Sequence, residues 1–346
     1  EPNAAGGYRL VKRFSKFVNT GILMQHVRSF MDVITLGQLQ GLIKIPSIRT
    51  NTEGKAAPQV VITERYPELE AYLKGPLSDR ITASEAWKPS PSEPNNPDPM
   101  IAIIADGQLA AFDMRFIYPS LPSNPASKLN RLADGIIDSY HAYNDIEYTN
   151  PSTGEPYPIK GAAHIVFSYS GFGDQVAKNR GFNARQWLRK RLTEGGIPNN
   201  EIAFISDYKT TSAKAALFKE VREGKKKILI GSPKNMGTGV NAQLRLKTLH
   251  YGVAPWYPAD IEQPHGRILR HGNQNPEVEV NWYAAKGTYD EAQWGMLARK
   301  SKAIEDAMTG KFDGDIEDVS ESSQYAMASA LASGDPRALR LAELRG

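Results

Sequence analysis

Residues 263–272, Gln263-Pro264-His265-Gly266-Arg267-Ile268-Leu269-Arg270-His271-Gly272, decide how the chain is interpreted. Gln263, Arg267 and Arg270 recur at i, i+4 and i+7, so a helix through this stretch places all three along one stripe. Amphipathic helices normally give such a stripe to apolar side chains and bury it. Guanidinium is a planar, permanently charged fork that suits phosphate oxygens. The stretch therefore predicts a helix that faces an anion, and a solvated basic helix surface is the alternative.

A short apolar run and a glycine-rich loop precede this stretch. Residues 227–231 (KILIG) predict a buried strand, which runs into the loop 232–241 (SPKNMGTGVN). Parallel α/β sheets place ligands at the carboxyl ends of their strands. A single glycine-rich loop is weak evidence, whereas this loop followed by the arginine stretch predicts a ligand site. We expect the two guanidiniums to lie beside the loop, at the ends of the neighbouring strands.

The loop and the arginine stretch resemble motifs V and VI of superfamily 2 helicases, in particular the Swi/Snf-like branch. The family pattern for motif VI is Gln-x-x-Gly/Asp-Arg-x-x-Arg-x-Gly-Gln. Residues 263–274 follow it with Asn273 inserted before the last glutamine. The resemblance implies that Arg270 is an arginine finger for the γ-phosphate of ATP, with Arg267 as its partner. It also implies that Gln263 helps to position the site.

The resemblance extends to ligand-binding positions of the loop and the helix. It implies that the positions lining a nucleotide cleft between two motor lobes are Gly237, Gly239, Asn241 and Gly266. Ser232 and Lys234 are candidate contacts for a nucleic-acid backbone at the start of the loop. Trp256 is a candidate for stacking on a base, since aromatic side chains in exposed turns provide such platforms. The alternative for Trp256 is a place in the core.

Two motifs that an ATPase needs do not occur in the 346 residues. There is no Gly-x-x-x-x-Gly-Lys-Ser/Thr loop for phosphates, and no Asp-Glu-x-His or Asp-Glu-Ala-Asp box for Mg²⁺. We therefore predict that ATP and Mg²⁺ are shared with a first RecA-like lobe, N-terminal in the same polypeptide or on another chain. The chain alone is predicted not to hydrolyse ATP. Its start, Glu1-Pro2-Asn3, suggests a segment of a longer protein.

Composition restricts the class of protein. With 40% hydrophobic and 23% charged residues, the 346-residue chain is predicted to be globular with two or more domains. The absence of cysteine excludes disulfides and cysteine-based zinc sites, and with no signal-peptide pattern it favours a cytoplasmic location. No apolar run approaches the length of a membrane span, so no membrane partner is expected. Residues 160–311 hold 24 Lys and Arg against 14 Asp and Glu, which suits DNA as a partner.

Alternating strand and helix patterns predict an α/β fold, a RecA-like parallel sheet with helices on both faces. Strands are predicted at residues 163–168, 202–206, 227–231, 248–253 and 278–284, and helices at 127–143, 183–193 and 212–222. Residues 1–125 are predicted to form a mostly helical segment with insertions that links to the missing first lobe. Residues 126–310 would form the C-terminal RecA-like lobe, and residues 311–346 an acidic helical tail.

Local signals predict three further features. Asp106-Gly107 between two apolar runs predicts a β-hairpin over residues 100–112. Residues 88–99, with five prolines, predict an exposed irregular loop. Pro264 fits only the first turn of a helix, so the arginine helix should begin near Gln263 or be kinked there.

Remaining charged and ring-bearing groups give weaker signals. His265 and His271 lack a third ligand at metal spacing, so no metal site is predicted. Residues 225–227 are three consecutive lysines, which predict a solvated turn. The alternative is that these lysines contact phosphate. Residues 14–20 and 113–115 resemble segments of helicases fused to adenine methyltransferases and of phage defence-against-restriction helicases.

These observations predict the C-terminal motor lobe of an ATP-dependent DNA helicase or translocase. One alternative is a catalytically silent structural or interaction module that keeps the fold within a phage or defence assembly. A second alternative is a lobe of an RNA helicase.

Overall fold

The computed structural model describes residues 44–290, with gaps at 51–55, 57, 94, 168–170, 233–241 and 256. It also describes short pieces at 16–17, 22, 25–26, 29–30, 293–294, 297 and 316–317. The chain divides into two compact units, one of residues 1–38, 65–114 and 285–346 and the other of residues 39–64 and 115–284. Among the helices described, none has the length and apolarity needed to span a membrane.

Three consecutive helices make up most of the described part of the first unit. They are α1 (Pro67–Tyr72), α2 (Ser78–Ala86) and α3 (Met100–Phe112), with a π-helical turn at Leu73–Leu77 between α1 and α2. Their shared core contains Leu69, Leu73, Leu77, Ile103 and Phe112, each at most 2% exposed. Two-residue strands in the same unit, Lys16–Phe17 and Ile316–Glu317, pair antiparallel.

The β-hairpin predicted at Asp106-Gly107 is wrong, because both residues lie inside α3. The carboxylate of Asp106 accepts a hydrogen bond of 2.7 Å from Arg80 of α2. Gly107 lies close to Leu77, and a Cβ there would be 3.3 Å from Leu77 Cδ2. The ion pair and the close packing stabilise a continuous helix, and such tertiary contacts outweigh local preferences.

The proline-rich stretch 88–99 is irregular and largely exposed, as predicted. One of its ends is anchored, since Arg80 donates to both carboxylate oxygens of Asp98 at 2.7 and 2.8 Å. Hydrogen bonding from Arg80 lowers the pKa of Asp98 below its ordinary value. The stretch is therefore fixed to α2 where it enters α3.

A seven-stranded sheet is the centre of the second unit. Its strands are β1 (Ser47–Ile48), β2 (Gln59–Thr63), β3 (Ala163–Phe167), β4 (Ile202–Phe204), β5 (Ile228–Gly231), β6 (Leu246–Tyr251) and β7 (Glu277–Ala285). The order across the sheet is β1-β7-β6-β3-β5-β4, and β2 also pairs with β7. Neighbours along that order pair in parallel. The register places His164 opposite Thr248 and Thr248 opposite Glu279.

The helices of the second unit are α4 (Lys128–Ala142), α5 (Asp174–Arg180), α6 (Ala184–Glu194), α7 (Thr211–Arg222) and α8 (Ala259–Ile268). The side chains of Ser127, Asn183 and Thr210 cap α4, α6 and α7 by accepting from the backbone N–H three residues on. Among the described residues, α-helices lie between β3 and β4, between β4 and β5, and between β6 and β7. The α/β class with a RecA-like, mostly parallel sheet, predicted from the sequence, is confirmed.

Helices α4 and α8 cover opposite faces of the sheet. Successive residues of a strand point to opposite faces. On one face, His250 Nδ1 lies 3.0 Å from Tyr283 Oη. This hydroxyl lies against α4, since a Cβ added at Gly135 of α4 would be 2.1 Å from Tyr283 Oη. On the other face, Tyr251 Oη donates to the carbonyl of Ile261 in α8 at 3.4 Å.

Candidate functional site

Helix α8 carries the first part of the arginine stretch and begins earlier than predicted. It runs from Ala259 to Ile268, so Pro264 lies in its interior. Ile261, Pro264 and Ile268 are buried and form the face that packs towards β6. Pro264 has no N–H to donate within the helix, which is a cost. Burial of its ring in this apolar face offsets that cost. The predicted start near Gln263 is therefore wrong.

The predicted single stripe of Gln263, Arg267 and Arg270 is also wrong. Gln263 and Gly266 are exposed on α8, and Arg267 is half-buried one turn after Gln263. The helix ends at Ile268, and Leu269 leaves it with φ −83° and ψ 61°. Arg270 is exposed in the following turn, so the helical period no longer sets its direction.

A buried asparagine holds the turn that carries Arg270. Asn273 is 8% exposed, and its Nδ2 donates to the carbonyls of Ile268 at 2.9 Å and Leu246 at 2.8 Å. Leu246 is the first residue of β6, and Tyr251 is its last. Tyr251 contacts Ile261, which lies near the start of α8. Helix α8 thus runs from the carboxyl end of β6 to its amino end. The Arg270 turn lies at the amino edge of the sheet.

The described residues that bound the glycine-rich loop lie at different edges of the sheet. Ser232 follows β5 at its carboxyl end and is half-buried. The loop leads to Gln243, just before β6, and a Cβ at Gly272 would be 3.7 Å from Gln243 Nε2. The structure therefore brings the Arg270 turn beside the exit of the loop and leaves Ser232 at the opposite edge.

Arg267 and Arg270 lie near enough for their positive charges to interact. Burial and, second, the positive charge of Arg270 lower the pKa of Arg267 from its ordinary value. Within the described part of the chain, Arg270 makes no ion pair with a carboxylate. His265 is half-buried edge-on to Tyr251, with 5.9 Å between ring centroids. Burial lowers the pKa of His265 to about 4, so it adds no positive charge at neutral pH.

A bound anion is the chemical partner that such a pair of guanidiniums favours. An anion between Arg267 and Arg270 would offset their mutual repulsion and accept several charge-assisted hydrogen bonds. Phosphate oxygens match the planar guanidinium fork. Within the residues described there is no group of three side chains suited to a metal ion.

Several predicted site residues fall outside the described residues: Lys234, Gly237, Gly239, Asn241 and Trp256. Tyr257, which sequence reasoning did not select, is 70% exposed directly before α8. The sequence signal for Tyr257 is that two aromatic residues, Trp256 and Tyr257, stand between two prolines. In the sequence Asn273 is only a departure from the motif, and its structural role has no sequence signal.

The three lysines at 225–227 do not form a free basic patch. Lys225 pairs with Glu223 at 2.7 Å, and Lys226 Nζ donates to the carbonyl of Asn200. Lys227 is 5% exposed and donates to Asn144 at 2.7 Å. All three stabilise the turn into β5, so the alternative of phosphate contact is not supported.

The fold and the site define an α/β lobe with a RecA-like sheet and an arginine-bearing helix at its edge. No family model matches the chain. Defense against restriction protein B of Escherichia phage P1 is 30% identical over 121 residues, which is 35% of this chain and 5% of that protein. The chain therefore spans a small part of that relative's length.

Solved structures to which this chain is similar include the C-terminal parts of two ATPases. The C-terminal domain of the Sulfolobus solfataricus SWI2/SNF2 ATPase is 13% identical with a TM-score of 0.46, covering 74% of this chain and 93% of that one. The C-terminal part of the Fun30 ATPase domain is 12% identical with a TM-score of 0.42, covering 80% and 97%. The Pyrococcus furiosus Hef helicase domain is 14% identical with a TM-score of 0.40, covering 73% and 58%.

Proposed function

We propose that this chain is the C-terminal motor lobe of a superfamily 2 ATP-dependent DNA helicase or translocase. The observation that carries the proposal is the placement of Arg267, half-buried on α8, and Arg270, exposed in the next turn, whose neighbour Gly272 lies close to Gln243 just after the glycine-rich loop. Such a pair is suited to the charge that develops on a phosphoryl group during transfer. Arg270 acts as the arginine finger, Arg267 is its partner, and Gln263 positions the nucleotide.

The nucleotide is shared with a companion lobe. Since the sequence contains no phosphate-binding loop and no acidic box, the β- and γ-phosphates and Mg²⁺ are held by another RecA-like lobe. Gly266 is exposed on α8, and an added Cβ would meet no atom within 4 Å among the described residues. Bare backbone at this position leaves room for a phosphate or ribose. The loop residues Gly237, Gly239 and Asn241 complete the lining of the cleft.

DNA is the second partner. The basic surplus of residues 160–311 supplies attraction to a phosphate backbone. Ser232, at the carboxyl edge of the sheet, and Lys234 contact that backbone, and Trp256 provides a stacking surface. The exposed ring of Tyr257 supports an aromatic platform at this turn. The similarity to a phage protein named for defence against restriction supports a role in a phage or mobile element.

ATP turnover with and without a companion lobe tests the proposal. The chain alone is expected to release no phosphate, because it has no cradle for the β- and γ-phosphates. With a lobe that carries both missing motifs, turnover is expected to appear and to rise on addition of duplex DNA. Phosphate release by the chain alone would contradict the shared site. No turnover in the assembled pair, with both lobes folded, would favour the silent structural module.

Changing Gly266 to alanine separates folding from nucleotide binding. Alanine favours a helix over glycine by about 1 kcal/mol, and the added methyl group meets no neighbour among the described residues. The variant is therefore expected to unfold at an equal or higher denaturant concentration. In the assembled motor, KM for ATP is expected to rise, because the methyl group occupies the space left for the ligand.

Gly135→Ala in α4 is the matched control. Its Cβ would lie 2.1 Å from Tyr283 Oη, and overpacking of this kind costs about 1–3 kcal/mol. This control is expected to destabilise the lobe, in contrast to Gly266→Ala. An unchanged KM for Gly266→Ala would remove Gly266 from the nucleotide site.

A further inference from the structure

The turn between α8 and β7 carries Arg270 and is closed by the side chain of Asn273. Its Nδ2 donates to the carbonyl of Ile268, the last residue of α8, at 2.9 Å. The last carbonyls of a helix have no partner within the helix, so this bond caps α8 from outside. The same Nδ2 donates to Leu246 at 2.8 Å, and Asn273 N donates to the carbonyl of Arg270 at 3.2 Å. One residue, through its side chain and its backbone N–H, thereby ties the helix end and the Arg270 turn to the first residue of β6.

A second layer fixes the orientation of the Asn273 amide. Its Oδ1 accepts from the backbone N of Asn275 at 3.0 Å and from Asn275 Nδ2 at 2.9 Å. Asn275 Nδ2 also donates to Leu246 at 3.1 Å, and Tyr148 Oη donates to Asn275 Oδ1 at 2.8 Å. Tyr148 and Asn275 are 2% and 4% exposed. A buried network whose members are all hydrogen-bonded favours a single arrangement.

The residues on either side of Asn273 are held as well. Gly272 has φ +89°, a left-handed conformation that favours glycine and reverses the chain after Arg270. The side-chain amide of Gln274 accepts from Thr149 N at 2.9 Å and donates to Thr149 O at 2.7 Å. The turn is therefore fixed on both sides of Asn273 while the Arg270 side chain is exposed.

We propose that Asn273 is a positioning residue for Arg270. By capping α8 at Ile268, it stops the helix two residues before Arg270 and holds that residue in the turn at the amino edge of the sheet. A helix continued through residue 270 would instead direct the guanidinium along the Gln263–Arg267 side. Asn275 and Tyr148 act through Asn273. The proposal rests on the proposed role of Arg270 as the group that reaches the nucleotide.

Asn273→Asp is the variant of choice, because it keeps the shape and the acceptor but replaces the donor. A carboxylate oxygen then faces the carbonyls of Ile268 and Leu246 and cannot bond to them. In the assembled motor, kcat is expected to fall about 10–100-fold while KM for ATP stays within about twofold, since misplacement by an ångström affects mainly the reacting geometry. Asn95→Asp, an exposed change in the first unit, is the control and should leave kcat unchanged.

Amide hydrogen exchange on the chain itself provides a readout independent of activity. In Asn273→Asp the amides of Leu269 and Asn273 are expected to exchange faster, while those of β3 and β6 keep their protection. Tyr148→Phe removes one hydroxyl from the supporting layer without disturbing the fold, and its kcat is expected to fall by less. Wild-type exchange and wild-type kcat in Asn273→Asp would overturn the proposal.

A double variant separates positioning from general destabilisation. If Asn273 acts through Arg270, then Asn273→Asp with Arg270→Ala turns over no more slowly than Arg270→Ala alone. An additional loss in the double variant would overturn the proposal. Full activity of Arg270→Ala would refute the proposed function instead, and faster exchange at Leu269 and Asn273 would still show that Asn273 holds the turn.

Discussion

Arg270→Ala is expected to lower ATP turnover of the two-lobed motor by about 10³–10⁵-fold, the range measured for arginine fingers. That loss corresponds to a barrier higher by roughly 4–7 kcal/mol. The fold is expected to survive, because Arg270 is exposed and makes no ion pair with a carboxylate of the described residues. DNA binding should be nearly unchanged, since the candidate contacts Ser232 and Lys234 belong to another segment.

Arg131→Ala is the matched control for this prediction. Arg131 is also exposed, but it lies on α4, which covers the face of the sheet opposite to α8. ATP turnover by the Arg131→Ala variant should equal that of the wild type. Arg270→Lys should recover only part of the loss, because lysine keeps the charge and lacks the planar fork. Turnover by Arg270→Ala at the wild-type rate would refute the role of Arg270.

The lobe is expected to lose stability steeply in acid because of two histidines buried beneath α4. His164 and His250 are each 0% exposed, and the pKa of each is lowered to about 3, mainly by burial. For His164, the positive charges of Lys227, Lys247 and protonated His250 contribute to this lowering. Tyr143 stacks on His164 with 6.4 Å between ring centroids, and Tyr283 bonds to His250. Both imidazoles are therefore neutral in the folded lobe at neutral pH.

The direction of the pH effect follows from proton uptake. Above the ordinary histidine pKa of 6.5, both folded and unfolded chains are neutral here and stability is complete. Between pH 6.5 and about 3, the unfolded chain binds protons that the folded lobe excludes. Each histidine then costs about 1.4 kcal/mol per pH unit, so at pH 5 the pair costs roughly 4 kcal/mol. That is a large part of the usual stability of a domain.

Denaturant unfolding at pH 7.5 and pH 5 measures this difference. His164→Leu should shrink the gap between the two pH values by about half, because one of the two titrating groups is removed. His141→Gln is the control, since His141 is exposed on α4. A wild-type lobe equally stable at both pH values would contradict neutral burial of the pair.

The sequence predicted the sheet well because its signals are local and repeated. Ser127 caps α4 and Asn183 caps α6 at the residues where the predicted helices begin. Strands β3 to β7 lie within a few residues of their predicted bounds, since alternating apolar runs and helical periods each report burial directly.

The features that sequence reasoning missed depend on contacts between distant residues. Arg80 stabilises Asp106 inside a helix although Asp-Gly favours a turn. Asn273 ends α8 by bonding to a residue of β6, so the true helix end could not be derived from the motif. The extension of α8 before Pro264 likewise depends on burial of the proline ring against the sheet.

In the proposed motor, the position of Ser232 and Arg270 at opposite edges of the sheet constrains how ATP hydrolysis moves the nucleic acid. β6 has six residues, and at about 3.3 Å per residue the two edges are separated by roughly 20 Å. No side chain is long enough to touch a nucleotide at one edge and a nucleic-acid strand at the other. Cleavage of the nucleotide would thus displace the nucleic-acid strand only by moving the whole β-sheet as a rigid body. Substitutions that soften its interior would then be expected to uncouple hydrolysis from movement.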